Sequence, residues 1–175
     1  MKLSALYLST FAFIPSFISA ATIPNLASHK EALAKRGGEV NYLSNCRHWK
    51  ADLSSFYTVS HILWYSNVDN SQSGHDAPNS LSNEYRDWAA GGDYLHWEEQ
   101  QQNIYFPDSG TTVQTHIASD AQSRDFTAYA GWAQRTSDGK VFNCYKDNDR
   151  VLTNLWGENS EGGYVLECHA RYWCV

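Results

Sequence analysis

Hydrophobic and polar residues alternate most regularly in the C-terminal half of the chain. Over residues 124–136, one side of the alternation carries Phe126, Ala128, Ala130 and Trp132. Three similar runs follow, at 140–146, 150–156 and 164–175, separated by the turn-forming sequences SDG, DND and GENSEGG. A two-residue period interrupted by Gly, Asn and Asp is typical of strands joined by hairpins. We therefore predict an antiparallel β-meander of about four strands in this half.

A different period marks residues 80–92, SLSNEYRDWAAGG. Four hydrophobic side chains there follow the spacing of one helical face: Leu81, Tyr85, Trp88 and Ala89. Asn79 or Ser80 can cap the start of such a helix, and Gly91 can end it. The next segment, 93–102, fits either a second short helix or a strand. One or two short helices packed on a meander predict an α+β fold.

The N-terminus has the composition of an export signal. Lys2 precedes an apolar run from Leu3 to Ile18, and the small residues Ser19 and Ala21 follow it. This run is shorter than the roughly 20 apolar residues of a transmembrane helix. It is typical of a secretory signal peptide, which we place at 1–21. No later segment predicts a membrane span.

A dibasic pair, Lys35-Arg36, ends the short segment TIPNLASHKEALAKR. The pair follows Leu-Ala and precedes two glycines, and it resembles the cleavage site of kexin-type processing proteases of the fungal secretory pathway. The resemblance implies a pro-segment at 22–36 and a mature chain, 37–175, that forms a single compact domain. The alternative interpretation is a solvated charge pair at the end of a helix.

Four cysteines lie beyond the dibasic pair: Cys46, Cys144, Cys168 and Cys174. An even number in an exported chain favours two disulfides over a zinc site. If the last strand is extended, Cys168 and Cys174 are about 20 Å apart and cannot join each other. One of them must then bond to Cys46 and the other to Cys144, and the sequence does not decide which.

The predicted mature chain is acidic and rich in aromatic rings. Residues 37–175 contain 18 Asp and Glu against 9 Lys and Arg, a net charge of −9 with histidine neutral. This charge disfavours DNA as a partner, because contacts to phosphates need a basic surface. Rigid amphipathic rings are typical of surfaces that bind proteins or glycans. No cofactor or metal motif occurs, and we expect a monomer without either.

One group of residues favours acid–base catalysis. If YLHWEEQ is a strand, His96 and Glu98 point the same way, about 7 Å apart, and such a pair can cleave a phosphodiester. The segment VQTHIAS around His116 resembles the Thr-His segment of guanyl-type fungal ribonucleases and ribotoxins. The resemblance implies that His96, Glu98 and His116 are catalytic. The arginine that this family carries between its glutamate and its histidine has no counterpart between Glu99 and His116.

The last strand, YVLECHARYWCV, carries a second group. One alternating set, which includes Cys168, Tyr172 and Cys174, predicts the buried face. The other set is polar and predicts either a solvated sheet face or a cluster that binds an anion. With rings from the two preceding strands, it makes up a candidate binding surface: Tyr145, Trp156, His169, Arg171 and Trp173.

The organisation as a whole resembles that of fungal candidate effectors and killer-toxin-like proteins: a signal, a pro-segment, a dibasic site and a compact cysteine-paired domain. The resemblance implies a secreted virulence protein that binds a host or competitor protein or a cell-surface glycan, rather than an enzyme. Two alternatives stay open. One is a secreted ribonuclease-like hydrolase, and the other is a cell-wall carbohydrate-binding module.

Overall fold

The structure is a computed structural model that describes residues 38–50, 52–159 and 162–175, with the backbone alone for 156–159 and 162–164. The predicted signal peptide and the pro-segment with Lys35 and Arg36 lie outside the described residues. In the described part the chain forms eleven strands: β1 (Val40–Trp49), β2 (Phe56–Tyr65), β3 (Ser80–Leu81), β4 (Arg86–Asp87), β5 (Asp93–Tyr94), β6 (Gln101–Phe106), β7 (Thr111–Ile117), β8 (Tyr129–Arg135), β9 (Val141–Lys146), β10 (Val151–Asn159) and β11 (Gly162–Cys174).

The α+β prediction is wrong, because the fold is nearly all β. The helical elements among the described residues are two short 3₁₀ turns, Val68–Ser71 and Ala121–Ser123. Neither predicted helix, at 80–92 or at 93–102, is present. Within the same residues, no helix has the length and apolar character needed to cross a membrane.

Residues 80–92 form β-structure because their backbone bonds to a neighbouring strand. Leu81 pairs with β2, and Tyr85 exchanges two backbone hydrogen bonds with Ser60 of that strand. Trp88, which the helical spacing placed on a buried face, is 75% exposed at a turn. The helical period was therefore a coincidence of spacing, and pairing with β2 overrides it.

The large sheet is antiparallel, in the order β3-β2-β1-β11-β9-β8-β7-β6. Strands β6 to β9 follow one another as a meander. The predicted C-terminal meander of four consecutive strands is wrong in one respect. β10 pairs with β11 and not with β9. β11 lies between β1 and β9, so the C-terminal strand joins the N-terminal strand to the meander.

The sheet curls into a nearly closed, barrel-like form. The backbone N–H of Asn83, just after β3, donates to the carbonyl of Tyr105 in β6 over 2.9 Å, which links the two ends of the sheet. Side chains from both ends consequently pack in one buried cluster. This inner cluster comprises Leu43, Ile62, Trp97, Ile104, Phe106, Val113, Ile117, Ala121, Ala130, Ala133, Phe142, Cys144, Tyr172 and Cys174.

A second buried cluster lies on the other face of β1, β2 and β11, with contributions from β10 and from the 3₁₀ turn at 68–71. This outer cluster comprises Val40, Tyr42, Cys46, Val59, Leu63, Tyr65, Val68, Leu152, Leu166, Cys168, Ala170 and Trp173. The central strands are therefore buried on both faces. Alternation in such strands does not separate a core side from a solvent side.

The prediction that Cys168, Tyr172 and Cys174 share one face of the last strand is wrong, because β11 contains a bulge. Leu43 opposes Tyr172 while the next residue, Ser44, opposes Ala170, so Arg171 is an extra residue. After an extra residue, every following side chain of the strand points to the face opposite to the one that simple alternation predicts. Tyr172 and Cys174 accordingly pack in the inner cluster, whereas Ala170 and Cys168 pack in the outer one.

Both predicted disulfides are present. Cys46 bonds to Cys168 and Cys144 bonds to Cys174, in each case between directly opposed residues of neighbouring strands. The prediction that Cys168 and Cys174 take different partners is confirmed. The two bonds fasten β11 to β1 on one side and to β9 on the other.

Candidate functional site

An open cleft of about 430 Å³ occupies one mouth of the curled sheet. The residues that line it include Asn41, Trp64, Phe106, Asp108 and Arg135. These side chains come from β1, β2, β6, the turn after β6, and β8. The volume lies within the range of small-molecule sites, which often occupy the mouths of curled β-sheets.

Asn41 is a polar residue that lines the cleft although it lies almost entirely out of contact with solvent. It is 2% exposed, and its amide makes no hydrogen bond with any residue of the described chain. A carboxamide has two N–H donors and an acceptor oxygen. The amide lines the cleft, so it is placed to bond a molecule that enters there.

Trp64 is held in a fixed orientation by a charged network. Its indole Nε1 donates to Oε2 of Glu39 over 2.9 Å, and Glu39 also accepts from Arg135 and Lys140. Burial opposes ionisation of Glu39, but hydrogen bonds from Lys140, Trp64 and Arg135 outweigh it and hold its pKa below the ordinary value. The carboxylate therefore stays charged and fixes the ring against the cleft.

Arg135 is neutralised within the same network. Its Nη2 lies 2.6 Å from Oδ2 of Asp138, and its Nη1 lies 2.9 Å from Oε2 of Glu39. The hydrogen bond to Asp138 comes first among the causes that raise the pKa of Arg135, and the same contact lowers the pKa of Asp138 to about 2. The guanidinium thus shapes the cleft wall as part of an ion-pair network.

Asp108 is in a different position. Its Oδ1 accepts from the Ser80 hydroxyl over 2.8 Å, and no cation pairs with it in the described part of the chain. The carboxylate stands at the turn after β6, where it lines the cleft. The cleft thus combines an aromatic ring, a buried amide and a carboxylate without a cationic partner.

The predicted catalytic residues His96 and Glu98 do come together. Nδ1 of His96 lies 3.6 Å from Oε2 of Glu98. Glu98 is 3% exposed, and it accepts hydrogen bonds from the Tyr172 hydroxyl and from Nε2 of Gln122, the latter over 2.5 Å. Burial and the bond to Glu98 raise the pKa of Tyr172. Its hydroxyl therefore remains a protonated donor.

His116 does not join that pair. Its Nε2 lies 2.9 Å from Oε1 of Gln101, and its ring stacks on Trp132 with 4.5 Å between centroids. The next residue, Ile117, packs in the inner cluster. Side chains alternate along a strand, so His116 lies on the outer face of β7. Glu98 instead bonds to Tyr172 inside the sheet.

The rings of the predicted binding surface are mostly covered. Tyr145 stacks on Trp173 with 4.6 Å between centroids, and Tyr129 meets Tyr145 edge-on at 6.0 Å. Trp173 is 2% exposed and belongs to the outer cluster. Trp156 lies opposite Val165 in the β10–β11 pair. Only the backbone of Trp156 is described, so the structure does not place its ring.

The polar members of that surface, His169 and Arg171, bond to acidic neighbours. Nε2 of His169 lies 2.9 Å from Oε1 of Glu167, and Nη1 of Arg171 lies 3.1 Å from Oδ1 of Asp149. Burial opposes charging of His169, but hydrogen bonds to Glu167 and to the Asp149 carbonyl outweigh it and raise its pKa. His169 and Arg171 thus belong to an ion-paired polar cluster beside the bulge of β11.

No group of three or more His, Cys, Asp or Glu side chains is arranged to hold a metal ion in the described residues. Comparison with known proteins finds no match: no family model, no curated protein and no solved structure resembles the chain significantly. The cleft residues were missed from the sequence because they are spread over five segments.

Proposed function

We propose that the mature chain is an effector- or toxin-like protein that acts outside the producing cell by binding a glycan in the cleft. The two disulfides fit an oxidising, extracellular type of environment. The observation that carries the proposal is the amide of Asn41, which has no hydrogen-bond partner in the described chain and lines a cleft beside the fixed ring of Trp64.

A sugar ring matches this combination of groups. It offers hydroxyls at its edge and an apolar face of C–H groups, so it can hydrogen-bond an amide while it packs on an aromatic ring. Asn41 supplies both donors and an acceptor, and Trp64 supplies the flat surface. A protein partner would meet a broad, well-packed area, whereas this site is a concave cleft whose apolar lining carries a few polar groups.

Binding is favoured over the hydrolase alternative by the position of His116. An acid–base pair must reach one substrate from two sides. His96 lies beside Glu98, but His116 is on the outer face of β7, where Gln101 and Trp132 hold it. The Glu98 carboxylate is already bonded to Tyr172 and Gln122.

The proposal is tested with the secreted protein on a glycan array, followed by calorimetry with the glycans that it retains. Asn41→Ala and Trp64→Ala should each weaken binding about tenfold or more. Trp88→Ala is the matched control, since Trp88 is 75% exposed and outside the cleft lining. Circular dichroism and thermal melting establish that each variant folds.

Two results would contradict the proposal. One is an array without any retained glycan. The other is a loss of binding in Trp88→Ala with none in Asn41→Ala. RNA cleavage that disappears in both His96→Ala and Glu98→Gln would support the hydrolase alternative in its place.

A further inference from the structure

The charges around the cleft indicate which class of glycan fits it, an inference that rests on the proposed function. Asp108 bonds to Ser80 through Oδ1, and its Oδ2 has no hydrogen-bond or ion-pair partner among the described residues. Arg135 faces the same cleft but is bound by Glu39 and Asp138. The cleft therefore presents a negative charge without a cation to balance it.

We infer that the ligand is a glycan with free amino groups, a polymer or oligomer of hexosamine in its ammonium form. The ammonium group pairs with Asp108, the apolar face of the sugar packs on Trp64, and a hydroxyl bonds to the amide of Asn41. An ammonium group near an indole face also gains from the ring quadrupole. The one inserted ligand thus satisfies the free carboxylate and the unpaired amide together.

Asn41 supports this inference independently of charge. It is 2% exposed, it lines the cleft, and no described residue satisfies its amide. A cleft that attracted only a cation would not need an unpaired carboxamide in its lining. The pairing of an uncharged hydrogen-bonding group with a carboxylate favours a ligand that carries hydroxyls as well as an ammonium group.

The net negative charge of the mature chain also favours a ligand that carries ammonium groups. Residues 37–175 carry 18 acidic side chains against 9 Lys and Arg. A negative surface raises the local concentration of cationic polymers and repels anionic ones, in a manner that salt screens. Uronic-acid polymers are consequently poor ligands for this cleft.

The test compares three oligosaccharides of equal length by calorimetry at mildly acidic pH: glucosamine, N-acetylglucosamine and galacturonic acid tetramers. The glucosamine tetramer should bind about tenfold tighter than the neutral one, the size of one charge-assisted hydrogen bond, and the acidic one should not bind. Asp108→Asn should remove this preference by lowering the affinity for the glucosamine tetramer about tenfold. Asp125→Asn, which removes the same charge at an exposed position outside the cleft, should change neither.

The outcomes separate this inference from the proposed function. Equal or tighter binding of the neutral tetramer overturns the inference and leaves glycan binding standing. Failure of every glycan overturns both. Equal losses in Asp108→Asn and Asp125→Asn, or spermine bound as tightly as the glucosamine tetramer, would show that charge alone attracts the ligand, and would overturn the assignment to a sugar.

Discussion

The hydroxyl of Tyr172 donates a hydrogen bond to the carboxylate of Glu98 inside the curled sheet. Tyr172 is fully buried and Glu98 is 3% exposed. A buried carboxylate without donors is strongly disfavoured. This bond therefore ties the segment before β6 to the C-terminal strand, and it also provides part of the polar environment that Glu98 needs.

Tyr172→Phe should lower the free energy of unfolding by about 2 kcal/mol, since bonds to charged groups contribute about 1.5–3 kcal/mol. Tyr65→Phe is the matched control. Its hydroxyl donates to the neutral carbonyl of Asp76 over 3.0 Å, and the expected loss is about 1 kcal/mol. Urea denaturation measures both, and equal losses would contradict the role assigned to Glu98.

The two disulfides should differ in how much they stabilise the fold. Cys46 and Cys168 are 122 residues apart in sequence, whereas Cys144 and Cys174 are 30 apart. Closing the longer loop restricts the unfolded chain more, by about 1 kcal/mol in the loop-entropy model. Replacing both cysteines of the first pair by alanine should therefore cost more than replacing the second pair. Denaturation of the two double variants checks this, and the reverse order would refute it.

Gly131 is required by the close approach of β7 and β8. Its φ is +150°, and a Cβ at this position would lie 2.0 Å from the carbonyl oxygen of His116. Gly131→Ala should destabilise the fold by about 3 kcal/mol or more, because the backbone of one strand must move. Gly139→Ala, at a φ of +71° with no atom closer than 3.9 Å, should cost only about 1–2 kcal/mol. Similar losses in thermal melts of the two variants would disprove the steric argument.

Local sequence rules found the four C-terminal strands but not their order in the sheet. The C-terminal runs are present as β8, β9, β10 and β11, since turn chemistry is local. The position of β11 between β1 and β9 depends on contacts far apart in sequence. The bulge at Arg171 has no local signal either, and it reverses the faces of Tyr172 and Cys174. Alternation alone cannot place the side chains that follow an extra residue.

The helix predicted at 80–92 failed for a related reason. Spacing of Leu81, Tyr85 and Trp88 matched a helical face, but backbone pairing with β2 determines the conformation. The cleft was missed because no local pattern singled out residues 40–49, which form β1 and are buried on both faces.

His169 should make stability depend on pH. Its pKa is raised above the ordinary 6.5 by hydrogen bonds to Glu167 and to the Asp149 carbonyl, which outweigh the effect of burial. The folded protein thus binds this proton more tightly than the unfolded chain does. The resulting stabilisation is complete below pH 6.5 and is lost as the pH rises through the raised pKa.

Replacing His169 by Gln should remove this contribution, so the wild-type advantage over His169→Gln should shrink from acidic to alkaline pH. His75→Gln is the control, since His75 is an exposed loop histidine and the substitution should leave the pH dependence unchanged. Urea denaturation across the pH range measures the differences. An advantage that grows with pH would show that the sign is wrong.

Replacing Asn41 should affect glycan binding and the free energy of unfolding differently. Leucine has nearly the same size but no polar atoms, so Asn41→Leu removes an amide that the described chain leaves unpaired. If the amide serves a ligand and not the fold, Asn41→Leu should leave the free energy of unfolding within about 0.5 kcal/mol of the wild-type value while glycan binding is lost. Asn103→Leu is a suitable comparison, because Asn103 is exposed on β6 and accepts from Gln114 over 3.1 Å, and it should leave glycan binding unchanged. A destabilised Asn41→Leu would mean that the amide supports the fold, and the reason to regard it as a ligand contact would disappear.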